Sequence, residues 1–378
     1  GRSYYPIGGQ NNGADAGYYT TRIGNPNAKW ETSETTNIGF DATLFNGKLD
    51  VIVDVWTKDT KDLLYNIPLA ATTGNGASAP SVNIAEMSNS GIDMQFITSG
   101  TIASGQVGYE LSVIASTLKN EIVALAPGIT YFGGNSYRGI APIRNAVGQS
   151  LSAFYMYKTD GLYSASDISN PSADRPLLKN AVAGNVAIAD TDGSGDIGVT
   201  DRTELGNNTP DYIIGFTNTF KYKNFDARIL ATAILDFKSY YFFGRYLDAG
   251  QQGRNQLDIW ANGARRLPST NGVPTGEAFT MGNGQAFYKE EGAKLPDFTD
   301  RWLYDGDYIR IKNITVGYTF DKETISQVGM KNMRIYLSAD NVFNSTDYPG
   351  GNPEANNSEV ENKLTEGVDS VSYTHLRA

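Results

Sequence analysis

The chain has 378 residues, a net charge of −10 and no cysteine. The acidic balance argues against a nucleic-acid partner, and the missing thiols exclude disulfides, cysteine catalysis and zinc–thiolate sites. No run approaches the ~20 apolar residues of a membrane helix, and with one histidine, His375, triad chemistry finds no support and no enzyme is expected.

The first element in chain order is "NIGFDATLF", 37–45, where Ile38, Phe40, Ala42 and Leu44 alternate with Asn37, Gly39, Asp41 and Thr43. The turn "NGK" follows, and then Leu49, Val51, Val53 and Val55 alternate with Asp50 and Asp54. Period two with a tight Asn-Gly turn predicts a β-hairpin, apolar on one face and charged on the other. The same alternation recurs in "GIDMQFIT" (91–98), "GYELSVIAST" (108–117), "FDARILATAILDF" (225–237), "NITVGYTF" (313–320) and "MRIYLSAD" (333–340).

The runs approach the ~9–11 residues that a tilted membrane strand needs. Charges sit mid-strand on the polar face, which a dry sandwich core does not tolerate unpaired and a water-filled barrel interior does. Short turns ("FNGK", "GTIASG", "KYKN") alternate with long connections at 66–90, 121–210 and 238–300. Short turns on one side and long loops on the other are the layout of an outer-membrane barrel. On that reading 49–64, 107–118, 225–237 and 333–343 run outward, and 91–98, 213–222 and 308–320 run inward. The parity closes only if no strand spans the membrane between 118 and 213. The expected fold class is therefore all-β, an antiparallel transmembrane β-barrel with long extracellular loops. A secreted or surface sandwich, half solvated, is the alternative.

Further motifs carry a family resemblance. "NPNAKWETSETTNIGFDATLFNGKLDVIVDVWTKDTKDLL", "NSGIDMQF", "VGQSLSAFYMYKTDGLY", "DTDGSGDIGVTDRTELGNNTPDYIIGFTNTFKYKNFDARI", "DYIRIKNITVGYTF" and "RIYLSADNVFNSTDYPGGNPE" follow one another between about residues 25 and 354. In this order they resemble the C-terminal barrel strands of SusC-like (SusC/RagA type) TonB-dependent outer-membrane transporters. The resemblance implies a barrel of about 22 strands around an N-terminal plug, a TonB-binding segment and a SusD-like lipoprotein over the mouth. It also implies uptake of oligosaccharides, sometimes peptides, driven through TonB. About nine strands are legible here, short of half such a barrel, with the plug and early strands absent. Residues 1–370 are expected to be barrel. The tail 371–378, with His375, lacks the family's closing strand and is expected to be non-native.

The stretch "DTDGSGDIGVTD", 190–201, places oxygen-bearing side chains at alternate positions and Gly195 at the sixth, the order of a calcium loop. Candidate ligands are Asp190, Asp192, Ser194 and Asp201, with the Asp196 backbone carbonyl. Asp201 replaces the usual bidentate glutamate, so weak binding is expected. An EF-hand needs a helix on each side, and neither flank reads as one. A metal-free turn held by side-chain-to-backbone hydrogen bonds is the alternative; otherwise no cofactor is expected. Tyr155, Tyr157, Tyr163, Tyr240, Tyr241 and Trp260 lie in or beside the long loops and are candidate glycan contacts, or else interfacial girdle and loop packing. The functional expectation is a transporter fragment; the alternative is a surface β protein that binds glycan or calcium without transport.

Overall fold

The computed structural model describes residues 23–66, 80–133, 142–183, 185–242, 244, 299–327 and 329–354, with four two-residue strands between 265 and 280 and one at 368–369. In chain order the strands are β1 (Thr32–Leu44), β2 (Leu49–Asn66), β3 (Ser81–Ile102), β4 (Val107–Thr117), β5 (Lys119–Leu125), β6 (Tyr131–Gly133), β7 (Arg144–Ala146), β8 (Ala153–Tyr157) and β9 (Thr159–Leu162). After helix α1 (Ala165–Ser169) come β10 (Val186–Ile188), β11 (Arg202–Asn207), β12 (Tyr212–Tyr222), β13 (Phe225–Leu235) and β14 (Lys238–Tyr241). The two-residue strands are β15 (Arg265–Arg266), β16 (Ser269–Thr270), β17 (Val273–Pro274) and β18 (Phe279–Thr280). They are followed by β19 (Leu303–Asp305), β20 (Tyr308–Thr319), helix α2 (Lys322–Ser326), β21 (Arg334–Thr346) and β22 (Val368–Asp369).

Two compact units divide the chain: residues 1–96 with 116–132 and 145–151, and the remainder. In the first unit β1 pairs with β2, and β3 lies between β2 and β5, all antiparallel where registers are defined. In the second, the end of β3 leads through β4, β12, β13 and β20 to β21. β4 and β12 are neighbours on the sheet's path; between them in sequence only β5, among the described residues, joins that sheet, off the path and paired with β3.

The registers keep one apolar face. Ile38 sits opposite Val55, Phe40 opposite Val53 and Ala42 opposite Val51. Ile229 faces Ile314, and Ile314 faces Ala339; Val316 faces Leu337. Such cross-strand apolar pairs contribute about 0.2–1 kcal/mol each. Many of these side chains are open, Ile38 at 75% and Leu337 at 78%, while Val53, Ile229 and Ile314 are half-buried. An apolar face this exposed calls for an apolar solvent. Two irregularities preserve the face: registers shift beside Lys312 on β20 and near Asn341 on β21, whose φ is +52°. A bulge adds one residue and resets the alternation, which keeps Ile309, Ile311, Ile314 and Val316 together.

Two of the three short turns use the same backbone. Phe45, Asn46 and Gly47, and again Ala103, Ser104 and Gly105, are three consecutive left-handed residues. Glycine takes the position with the largest φ, where a side chain is most strained.

Three expectations are corrected at element level. Residues 81–90 belong to β3, not to the 66–90 loop; residues 119–125 form β5; and the 238–300 connection opens with β14. β3 has 22 residues, about 73 Å at 3.3 Å per residue, roughly twice a membrane crossing. The surplus mixes Val82, Ile84, Ala85 and Met87 with polar residues without strict alternation, so period two does not mark it. Asn120 on β5 adds side-chain hydrogen bonds to the apolar pairs there, Ala85 with Leu125 and Met87 with Ile122. Its Nδ2 donates to Asn89 Oδ1 at 2.6 Å, and its Oδ1 accepts from the Leu151 amide at 2.6 Å and from Ser150 Oγ at 3.2 Å.

A cluster of buried apolar residues lies in the connections; the large sheet has buried positions of its own, Tyr65, Ile84, Ile122 and Tyr308. Ile143, Phe154, Met156, Val186, Ile188, Tyr240, Phe242 and Trp302 cluster together, all within the second unit. Full burial of such side chains contributes roughly 1.5–3 kcal/mol each, an upper bound set by the extended reference chain. This cluster is the platform for the loop described next.

Candidate functional site

The 190–201 loop is held at both ends by secondary structure. β9 pairs with β10 just before Asp190, and a 3₁₀ turn, Val199–Asp201, leads into β11. Ile197 packs against the core cluster. Gly193 and Gly195 take φ of +71° and +84°, which lets the chain reverse where alternate oxygens must converge. No α-helix flanks the loop among the described residues, so an EF-hand is excluded there.

The carboxylates organise the backbone. Asp190 Oδ1 accepts from the amides of Gly193 (2.8 Å) and Ser194 (3.1 Å), and its Oδ2 from Gly195 (2.7 Å). Asp192 Oδ1 accepts from the Ser194 amide at 2.9 Å. Asp201 is fully buried; its Oδ1 accepts from the Thr191 amide (2.9 Å) and its Oδ2 from the Gly198 amide (2.6 Å). Hydrogen bonds from Thr200 and Ser194 pull the Asp192 carboxyl down to about 2.

One oxygen from each of Asp190, Asp192 and Asp201 lies within 4.8 Å of the others. Three of the five expected ligands are thus assembled. Ser194 Oγ donates to the Asp196 carbonyl at 3.1 Å, which places those two groups side by side; the Asp196 carboxylate is outside the cluster. An all-oxygen donor set around a glycine-permitted reversal suits a hard cation. Asp201 Oδ2 keeps a lone pair beyond its amide bond, while Oδ1 accepts a second, longer bond from the Asp192 amide at 3.5 Å.

The aromatic candidates take different places. Tyr155, on β8, is half-buried beside two guanidiniums, with Arg144 Cζ 3.3 Å and Arg202 Cζ 5.4 Å from its ring centre. Tyr157 packs against the core cluster. Tyr163 is fully buried; its hydroxyl donates to the Pro176 carbonyl (2.9 Å) and accepts from the Leu178 amide (3.2 Å). Tyr240 is also buried. Tyr241 meets Tyr304 and Tyr348 edge to face, with ring centres 6.4 and 5.8 Å away. Trp260 lies outside the described residues.

The polar face of the large sheet carries contacts that alternation alone does not reveal. Asp54 sits opposite Gly39, and a Cβ on that glycine would collide with its carboxylate. Trp56 lies over Gly91 in the same way, its Cζ2 2.8 Å from where a Cβ would be. Arg334 on β21 reaches across Gly317 on β20 to Asp226 on β13, with bonds of 3.0 and 2.5 Å; a Cβ on Gly317 would lie 2.7 Å from its Cζ. Asn313 donates to Ser338 Oγ (2.9 Å) and Asp340 Oδ1 (2.7 Å). In sequence these are only glycines among polar residues. The signal is a glycine on the polar face one strand away from a long side chain.

Against known proteins, residues 1–342 match the family model described as TonB dependent receptor-like, beta-barrel. TonB-dependent receptor P3 of Formosa agariphila is 30% identical over 369 residues, covering 96% of this chain and 34% of that protein. TonB-dependent receptor SusC of Bacteroides thetaiotaomicron is 26% identical over 382 residues, 98% of this chain and 33% of that protein. A solved structure of the RagAB peptide transporter shares the fold, with a TM-score of 0.74 at 18% identity over 97% of this chain and 36% of that one. The chain spans about a third of the length of the curated relatives it matches.

Proposed function

The chain belongs to the TonB-dependent receptor β-barrel family, and on that premise we propose that it supplies C-terminal strands to an outer-membrane importer of oligosaccharides or peptides. The importer is a barrel of about 22 strands in the outer membrane of a Gram-negative bacterium. It takes energy through TonB, which engages a region N-terminal to these strands, and a SusD-like surface lipoprotein shares the cargo. What carries this reading is the coincidence of the family match with an antiparallel sheet whose apolar face is open and whose polar face is lined by Asp54, Asp226, Arg228, Thr315 and Asp340. Lipid bathes the first face and cargo-bearing water the second. SusC and RagAB, named as a TonB-dependent receptor and a peptide transporter, lend the reading its direction.

The test is uptake of labelled oligosaccharide and labelled peptide by cells expressing the full-length receptor, with and without TonB. Uptake of one class is expected, and it should disappear without TonB. Uptake that persists without TonB, or a receptor that stays monodisperse without detergent, would favour the surface-protein alternative.

The second reading is that the 190–201 loop holds calcium, favoured by the three converging carboxylates. The ion would sit among Asp190, Asp192, Ser194, the Asp196 carbonyl and Asp201 and stiffen a loop outside the membrane. With aspartate rather than glutamate at the last position, the expected Kd is on the order of 10⁻⁴–10⁻³ M. Calorimetric titration of the detergent-solubilised receptor should lose its calcium heat in Asp190→Ala plus Asp192→Ala. Equal heats in both proteins would leave this loop a turn.

A further inference from the structure

After β21 the chain does not continue outward; it folds back over the polar face of β20. Arg310 pairs with Thr232 and Tyr308 with Ile234. Those partners alternate with Arg228, so Tyr308 and Arg310 lie on the lumen face, at the loop end of the strand. Glu354 returns to both of them. Its Oε1 accepts from the Tyr308 hydroxyl and its Oε2 from Arg310 Nη1 at 3.0 Å. Asn352 Oδ1 accepts from Arg310 Nη2 at 3.5 Å and from the Glu354 amide at 3.2 Å.

At the other end of the segment the Tyr348 amide donates to Thr346 Oγ1 (3.1 Å), and its ring packs against Tyr241 and Tyr304. Burial shows what the segment covers. Tyr308 is 1% exposed, whereas Arg228, on the same face further down, is exposed. Pro353 is buried beside the latch, while Gly350 and Gly351 between the two anchors carry no side chain to pack.

We propose that residues 347–354 are a strap across the lumen face at the outer mouth, hinged at Tyr348 and latched by Glu354 on Arg310 and Tyr308, which narrows the entrance until the latch opens. Among the described residues Glu354 is the latch's carboxylate, and a charge-assisted pair loses most of its hold when one partner is neutralised. The gating role rests on the importer reading above; the latch itself does not.

The latch is tested by a spin label at Gly351→Cys in the full-length receptor, with any cysteine outside these residues replaced. An immobilised spectrum is expected in the parent, becoming several-fold more mobile in Glu354→Gln. Arg310→Glu combined with Glu354→Arg should immobilise the label again. A mobile parent, or an unchanged spectrum in Glu354→Gln, would overturn the latch. Initial uptake at sub-saturating cargo then reads the gate: Glu354→Gln should admit cargo several-fold faster, and an unchanged rate would overturn the gating role. A parent that takes up no cargo while its strap is immobilised counts against the importer reading alone, so the two failures are distinct.

Discussion

Lysine at Val53 should cripple barrel assembly, while lysine at the adjacent Asp54 should be nearly silent. Val53 pairs with Phe40 and Asp54 with Gly39, so the two positions point to opposite faces of one strand. At mid-membrane a lysine on the lipid side costs about 2–4 kcal/mol. On the lumen side the ammonium keeps its water, and at half-buried Asp54 the change of charge costs about 0–1 kcal/mol. The check is the heat-modifiable folded fraction of the full-length receptor recovered from outer membranes. Similar losses for the two variants would reverse or remove the assignment of faces, and with it the claim that Ile38, Leu111, Ile229 and Val316 meet lipid while Asp41, Glu110, Arg228 and Thr315 meet the lumen.

The second large effect is expected at Asp201. Its carboxylate is the loop's internal scaffold, fully buried and accepting from the Thr191 and Gly198 amides on opposite limbs of the turn. Alanine leaves both donors without a partner, at about 1–3 kcal/mol each, so opening of the loop should become easier by roughly 2–6 kcal/mol. Hydrogen exchange at Thr191 and Gly198 should accelerate accordingly, with exchange in β13 unchanged. Unaltered protection at those amides would mean that the loop is held by something else. The same exchange measurement carries a pH signature. Hydrogen bonds from Thr200 and Ser194 depress the Asp192 carboxyl from 3.8 to about 2 in the folded loop. A depressed carboxyl contributes stability that is complete above its unfolded value and is lost as pH falls through the folded one. Protection should therefore hold down to about pH 4 and fall away toward pH 2.

The strands that period two identified were located within a few residues. The hairpin across 45–48 is one case, and β12–β13 across 223–224 another. In both, an apolar face and a tight turn act over neighbouring residues. The misses have one cause. The first ten residues of β3 and all of β5 join side-chain hydrogen bonds such as those of Asn120, which reach 31 residues along the chain, to buried Ile84, Ala85 and Ile122 without strict alternation, and so leave no periodic trace. At the candidate site, the carboxylates at 190, 192 and 201 were legible because a calcium-type loop is a local spacing rule. That Tyr163 is buried with its hydroxyl spent, while Tyr155 stays half-buried between two arginines, was not legible. Tyr157, Tyr163 and Tyr155 look alike in a loop, and only packing against the buried cluster, a spent hydroxyl or contact with Arg144 separates them.

By itself the sequence determined what depends on near neighbours: the two faces of each strand, the short turns, the spacing of the acidic loop and the absence of thiol chemistry. It also carried the family, because many motifs in fixed order are specific where one is not. Tertiary structure alone decided what depends on distant partners. It brought Arg334 over Gly317 to Asp226, 108 residues away, folded Glu354 back onto Arg310, and gathered Ile143, Phe154, Ile188 and Trp302 into one buried cluster. The reason is physical. Alternation encodes which solvent a side chain meets, a property of one strand; a charge's partner is set by which strands become neighbours, and that follows only once the sheet is assembled.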